Sequence, residues 1–567
     1  MLLLFERLPW ELAEATALAA EQGPSVTVSA GLVSTLPADA PLAARVASVL
    51  AGREVTAAGA VPDGTAVDGV PVEVVTDASV KQDDEAKLAV LANALVAVRT
   101  KPQSGPLLVA GLVAEPGHAR VASFLELGGP AGVATSDSTR QRGLVAFQDL
   151  RPTLTGSIAD TDGAPIRVVA DPHALRTVGR LDLQAATLVT TRTLAIPIAA
   201  TLDTVAIAAA LVALLLAWRW PGVGRWPSRT RMLARALLLF AWAIPSGYLL
   251  SSVAAPRASA AWLISGLGLS LALAIAAAVA STAGRPRPEA RAWDRAPALL
   301  GALLAALVVA DLLLGGHALG RPLLGNSIFD GERFYGLGNG YFANAYAGLL
   351  LLVAFGPVPA LPAAGLFAAF AVVDGLPMLG ADVGGALTAM ITAALALLLL
   401  GGRRPSARAA LAGVALAVAA AVVVALGVAL LAGQATHGGR FAHELLHDPG
   451  AALDALANQL HGNLPLLASN FWAWWGPLMV LATGLASRWP TPLLARVPRW
   501  VRRVALVGAL GSAALIVLND TGVTAAAATG LFLVATLAWS GLESAEPELP
   551  AVLARPARYA LWLWHTR

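Results

Sequence analysis

Arg333-Phe334-Tyr335-Gly336-Leu337-Gly338-Asn339-Gly340-Tyr341-Phe342-Ala343-Asn344 sets a guanidinium, two carboxamides and several aromatic rings among glycines at the mouth of an apolar run. A guanidinium pairs with phosphate or carboxylate through parallel N–H donors, and carboxamides hydrogen-bond hydroxyls. Glycine lets a backbone approach a ligand closely. Arg333, Tyr335, Asn339 and Asn344 are therefore candidate substrate-binding residues. Downstream, Asp382 lies in Gly380-Ala381-Asp382-Val383-Gly384-Gly385 and Asp520 in Asn519-Asp520-Thr521-Gly522. Each carboxylate has glycine close by and borders an apolar run, and either could act as a general base or a cation ligand. His437, in Thr436-His437-Gly438-Gly439-Arg440, is a third candidate for catalysis, with Arg440 and Asn519 as further binding groups. Ionisable groups beside hydrocarbon are costly unless paired or hydrated, which makes them candidates for function. Isolated members such as Asp203 read as ordinary polar residues at span ends.

A second constellation is His443-Glu444-Leu445-Leu446-His447. On a helix its two histidines share a face and could hold zinc, with Glu444 as base to a bound water. Asp448-Pro449-Gly450 would end such a helix at once, and no further protease motif follows. Zinc peptidase chemistry is the weakest of the readings; no cofactor is favoured, and a divalent metal is left open.

These residues need elements to hold them. The chain has 567 residues, of which 57% are hydrophobic and 13% charged. A soluble domain carries about a quarter charged residues, so this is a membrane-protein composition. Absence of cysteine excludes disulfides and thiolate chemistry. Windows of about 20 apolar residues predict eleven spans, near 202–218, 234–253, 262–283, 297–314, 341–356, 357–374, 384–400, 409–431, 471–487, 504–518 and 523–539. Arginines cluster within 219–235, 285–295, 403–408, 488–503 and 555–567, whereas the alternate connections hold only Arg257, Arg321, Arg333 and Arg440. By the positive-inside rule the clusters are cytoplasmic. That reading explains the net charge of +3 without nucleic acid. It puts the N-terminal domain and the polar candidates outside.

Residues 1–190 predict an α/β layered domain with a largely parallel sheet. Expected strands are 2–5, 54–57, 72–76, 107–113 and 166–169, and expected helices are 9–21, 42–50 and 83–99. The membrane domain is expected over 195–540, and an interfacial cytoplasmic tail over 541–567. Export of such a domain calls for a signal sequence, so a start upstream of Met1 is expected.

Thr135-Ser136-Asp137-Ser138-Thr139-Arg140-Gln141-Arg142-Gly143-Leu144-Val145, followed by Asp149-Leu150-Arg151-Pro152-Thr153-Leu154, resembles the late part of alkaline-phosphatase-superfamily domains in a group of bacterial membrane proteins. Arg333–Tyr341 looks like that group's R-F-Y-G-I-G-N-E-Y signature; Leu518-Asn519-Asp520-Thr521-Gly522 and Thr436–Arg440 resemble its later elements. The chain departs from the pattern in two places. Glu6-Arg7 stands where a metal-binding Asp-Gly is usual, and Gly340 where a glutamate is usual. An arginine beside a divalent metal repels it, and only His118 and His173 precede residue 190. The resemblance thus implies a non-catalytic phosphatase-like domain on a multi-pass protein of the bacterial cytoplasmic membrane. Its outward polar site would handle an anionic or hydroxylated envelope substrate, a lipid-linked or polysaccharide precursor. A membrane transporter is the alternative.

Overall fold

The computed structural model describes residues 2–5, 7–8, 26–33, 42–51, 66–67, 70–75, 86–87, 89–93, 107–112, 121–127, 129–157, 163–219, 226–254, 258–282, 295–330, 333–356, 358–401, 463–467, 471–488, 497–519 and 521–544, with scattered single residues between them.

The N-terminal region builds one nine-stranded sheet. Its strands are β1 Leu2–Phe5, β2 Val26–Val33, β3 Ala66–Val67, β4 Val70–Val75, β5 Leu107–Gly111, β6 Val121–Leu127, β7 Gly132–Thr135, β8 Leu144–Ala146 and β9 Arg167–Val169. They lie in the order β3-β4-β1-β5-β6-β2-β7-β9, with β8 beside β2. β1 is apolar at all four positions because both faces are covered. Its side chains alternate accordingly: Leu2 and Leu4 meet Val46 and Val49 of α1 (Leu42–Ala51), while Leu3 and Phe5 join the opposite cluster.

The sheet is mixed, which corrects the largely parallel expectation. β1 runs parallel to β4 and β5, and β2 to β7 and β8; the pairs β3/β4, β5/β6, β2/β6 and β7/β9 are antiparallel. The short connection 112–120 explains part of this, because a parallel return needs a crossover of roughly a dozen residues or more. A short helix, α2 (Leu150–Thr155), follows β8 and ends at Gly156 in the left-handed region. The expected strand 54–57 and helix 9–21 fall almost wholly outside the described residues.

α3 (Ala174–Arg219) spans 46 residues and passes through the expected boundary between sheet and membrane domains without a break. Val178, Leu181, Ala185 and Leu188 pack under the sheet against Leu125, Val133 and Leu144, whereas Ala206, Ala210 and Ala213 belong to the helical core beyond. Asp171 precedes α3 and accepts from the His173 amide and the Thr177 hydroxyl, meeting donors at the helix start.

The rest is helical: α4 (Trp226–Ala254), α5 (Ser259–Thr282), α6 (Arg295–Leu313), α7 (Asn339–Phe355), α8 (Ala360–Gly375), α9 (Val383–Leu400), α10 (Phe471–Arg488), α11 (Arg499–Leu518) and α12 (Gly522–Ser544). Among the described residues seven helices, namely α3, α4, α5, α6, α9, α11 and α12, are long and apolar enough to cross a membrane. The protein is a multi-pass membrane protein associated with the lipid bilayer. The expected spans 341–356 and 357–374 correspond to the shorter apolar helices α7 and α8. The expected span 471–487 falls on α10; the expected span 409–431 lies almost wholly outside the described residues, and of the expected tail 541–567 only 541–544 are described, as the end of α12.

Large side chains such as Leu271, Ile275 and Val279 are exposed along α5, as a lipid-facing surface requires. Small residues close the interior. Gly301 of α6 faces Gly348 of α7, and a Cβ on Gly301 would lie 2.2 Å from the Gly348 carbonyl oxygen. Such close approach is how helices associate in lipid, where the hydrophobic effect cannot drive them together.

Candidate functional site

The polar residues meet at one end of the helical bundle, against the sheet domain. Four segments converge there: the loop 136–142 of the sheet domain, the connection 314–338 between α6 and α7, the turn 376–382 between α8 and α9, and the turn 519–521 between α11 and α12.

The sheet-domain loop is braced from beneath. The Ser136 hydroxyl donates to Asp149 Oδ2 (2.6 Å) and Thr139 Oγ1 to the Leu144 carbonyl (2.7 Å). The amides of Ala146 and Ala164 donate to the two Asp149 oxygens. Ser136, Thr139 and Asp149 are buried. Burial pushes the Asp149 carboxyl up from its ordinary value, against the pull of Ser136, Ser138 and the two amides. These hydroxyls serve as internal struts, since their donors are spent inside the domain. The loop then presents Arg140 with φ 55°, in the left-handed region.

Arg140 reaches the membrane half. Its guanidinium stands 3.9 Å from the centroid of the Tyr335 ring, and Nη1 donates to the Pro377 carbonyl (2.9 Å). Gln141 Nε2 donates to the Phe334 carbonyl (3.1 Å). Arg192 of α3 pairs with Asp330 at 2.6 Å. The sheet domain is thus pinned to the connection 314–338 and to the turn 376–382 through side chains on both sides.

Arg333 sits at the centre. Nη1 donates to the Leu337 carbonyl (2.8 Å) and more weakly to that of Gly380 (3.4 Å), and Nη2 lies 3.9 Å from Asp382 Oδ1. Leu337 N–H also donates to the Gly380 carbonyl (2.7 Å). Gly336 permits this seam: its φ is +83°, and a Cβ there would lie 2.1 Å from the Gly380 oxygen. Asp382 starts α9 and accepts from the Gly385 amide (3.1 Å). Arg333 competes with any cation for that carboxylate.

The other expected binding groups divide. Tyr335 lies under Arg140. Asn339, at the start of α7, accepts from Asn519 Nδ2 (3.1 Å) and donates to Thr521. Asn463, which the sequence did not single out as a site residue, completes this network. It accepts from Val523 N–H (3.1 Å) and donates to the Asn519 carbonyl (3.0 Å). Asn344 is one turn inside α7, buried, and donates to the Gly340 carbonyl (2.8 Å), apart from the cleft. Gly340, where the resembled group has glutamate, faces Gly325; a Cβ would come within 3.0 Å of its Cα, so a carboxylate there would displace the loop. His437, Arg440, His443, Glu444, His447 and Asp520 lie outside the described residues. Among the described residues no group of three or more His, Asp or Glu is placed to hold a metal ion.

Between the two halves runs a crevice lined by Gln141, Gly315, Gly316, Asn326, Arg333 and Tyr335. Its interior of about 20 Å³ is room for a single water. An anionic oxygen entering it would meet the Arg333 guanidinium and the Gln141 carboxamide. Sequence reasoning missed Arg140, Gln141, Arg192 and Asp330 as partners across the two halves. The signal for Arg140 was its place in a serine- and threonine-rich loop whose hydroxyls turn inward.

Comparison with known proteins returned no match to a family model, a curated protein or a solved structure.

Proposed function

We propose that this chain is a bacterial cytoplasmic-membrane protein whose sheet domain stands outside the cell over an outward polar crevice. The crevice admits one anionic or hydroxyl oxygen of an envelope precursor, lipid-linked or polysaccharide, whose remainder lies outside it. The observation that supports this most is that the crevice draws its walls from both halves: Gln141 from the sheet domain, Arg333, Tyr335 and Asn326 from the membrane half. Among the described residues Arg229, Arg231 and Arg235 begin α4, Arg295 begins α6, and Arg499, Arg502 and Arg503 begin α11, the helix ends away from the crevice, in keeping with an outward sheet domain. The sheet domain acts as a phosphatase-like cap, and Arg333 offers the phosphate-pairing group at its edge.

The test is binding by the full chain in lipid nanodiscs, comparing a long-chain polyprenyl phosphate with the matching polyprenol. The phosphate should bind more tightly, and Arg333→Ala should weaken it by about tenfold, roughly 1.4 kcal/mol. Equal binding by wild type and Arg333→Ala would sink the assignment of Arg333.

Transport is a second reading, favoured by the lengths of α7 and α8. At 17 and 16 residues they extend about 26 and 24 Å, short of a hydrocarbon core of about 30 Å. Interrupted helices around a polar centre are a transporter feature. Absence of substrate accumulation in proteoliposomes would remove this reading.

A further inference from the structure

Beneath the turn 376–382, at the end of α8, lies a carboxyl group that the crevice does not use. Asp374 is fully buried, and among the described residues neither carboxyl oxygen has a hydrogen-bond partner. Oδ2 lies over the bare backbone of Gly385, where a Cβ would come within 2.3 Å of it and within 2.7 Å of the Phe342 ring. The turn is clamped over it: Asp382 N–H donates to the Asp374 carbonyl (2.9 Å) and Gly380 N–H to that of Val373 (3.0 Å). Among the described residues the charged groups acting on Asp374 are Asp382 and Arg333, while α7 and α9 present Phe342 and Gly385.

Two carboxyl groups and one guanidinium form this cluster. With both carboxyls ionised, one negative charge would be left uncompensated on a group held out of water, which is unfavourable. One added proton makes the cluster neutral. Asp382 is the member that receives an amide hydrogen bond and lies 3.9 Å from Arg333. Asp374 has no donor, and the contact with Gly385 and Phe342 excludes a hydrated ion.

We propose that Asp374 is a proton-binding site. In the resting protein its carboxyl carries one proton. When the turn 376–382 lifts and admits water, the O–H bond breaks, the proton passes to water, and the carboxylate is left facing Arg333. Because Arg140 holds the same turn through Pro377, exchange of this proton is coupled to docking of the sheet domain. The inference stands on the burial of Asp374 and does not depend on which substrate the crevice receives.

The experiment is labelling of the full chain in nanodiscs with a hydrophobic carbodiimide, which attacks protonated carboxyls, followed by peptide mass mapping. An adduct on Asp374 at neutral pH that declines at alkaline pH is expected. Lack of any adduct on Asp374 would overturn the proposal. Repeating the labelling in sodium chloride and in choline chloride separates the two small cations: protection of Asp374 by sodium alone would replace the proton by a sodium ion and refute the inference as stated. The infrared spectrum gives a second readout. A protonated-carboxyl band present at neutral pH should vanish in Asp374→Asn, and a spectrum unchanged by the substitution would also refute it. Should that variant fail to fold, wild-type labelling decides.

Discussion

Removing the Arg140 side chain tests the junction between the two halves most directly. Arg140→Ala deletes the contact with the Tyr335 ring and the hydrogen bond to the Pro377 carbonyl. A cation over an aromatic ring contributes about 0.5–1 kcal/mol where water reaches it. A charged hydrogen bond to a carbonyl adds about 1.5–3 kcal/mol when shielded, and the exposure of Arg140 argues for the lower part of that range. The strain of φ 55° is common to arginine and alanine and drops out of the difference. Net weakening of the seam by about 2–2.5 kcal/mol is expected, which corresponds to about 30- to 70-fold. The Leu337 amide reports it, because its bond to the Gly380 carbonyl lies within the seam. Hydrogen exchange in nanodiscs should show Leu337 exchanging faster by that factor in Arg140→Ala, and by about 2- to 5-fold in Tyr335→Ala, which loses the ring contact alone. The double variant should match Arg140→Ala. Independent, fully additive effects would refute a coupling between Arg140 and Tyr335, and unchanged exchange in Arg140→Ala would refute the docking role altogether.

Gly336→Ala forces a Cβ to within 2.1 Å of the Gly380 oxygen at φ +83° and should destabilise the same seam by about 1–3 kcal/mol; a thermal midpoint equal to wild type would contradict the packing. Asn463→Ala leaves Val523 N–H without its acceptor inside the bundle, so a loss of about 1–3 kcal/mol is expected. Unfolding in mild detergent measures it, and a neutral substitution would mean the amide network does not brace α11 against α12. At the start of α3, hydrogen bonds from the His173 amide and the Thr177 hydroxyl hold the Asp171 carboxyl below its ordinary value. Its stabilising contribution is therefore present above the ordinary carboxylate range and lost as pH falls through the lowered pKa. Amide exchange in the first turn of α3 should accelerate in acid, and Asp171→Asn should flatten that dependence.

The helices were legible because a bilayer demands long apolar runs, and α4, α5, α6 and α9 each answer to one. The sheet was less legible. β6 and β7 carry Glu126 and Gly132 among their apolar residues, and the direction of each strand depends on connection lengths that propensity does not encode. The polar stretch around Arg333 stood out from the apolar background, but its partners did not. Gln141 bonds to Phe334 and Arg140 to Pro377, contacts separated by 193 and 237 residues along the chain. No local pattern announces such pairs. Asn344, a carboxamide read as ligand-facing, turns back one helical turn to Gly340. Asp374 carries no local mark of its burial, and only the tertiary packing of Phe342 and Gly385 takes it out of water.

α3 gives the molecule a lever. Its 46 residues extend about 69 Å, more than twice the hydrocarbon thickness of about 30 Å, and its two halves serve different cores. No flexible tether separates the sheet from the bilayer, so the sheet cannot swing freely about its point of attachment. Tilting or twisting α3 within the lipid would carry the sheet domain with it as a rigid load. Pro197, inside the helix, removes one backbone hydrogen bond and supplies the natural point of bending. A bend there would load the Arg192–Asp330 pair, little more than one turn earlier, and through Asp330 the connection 314–338.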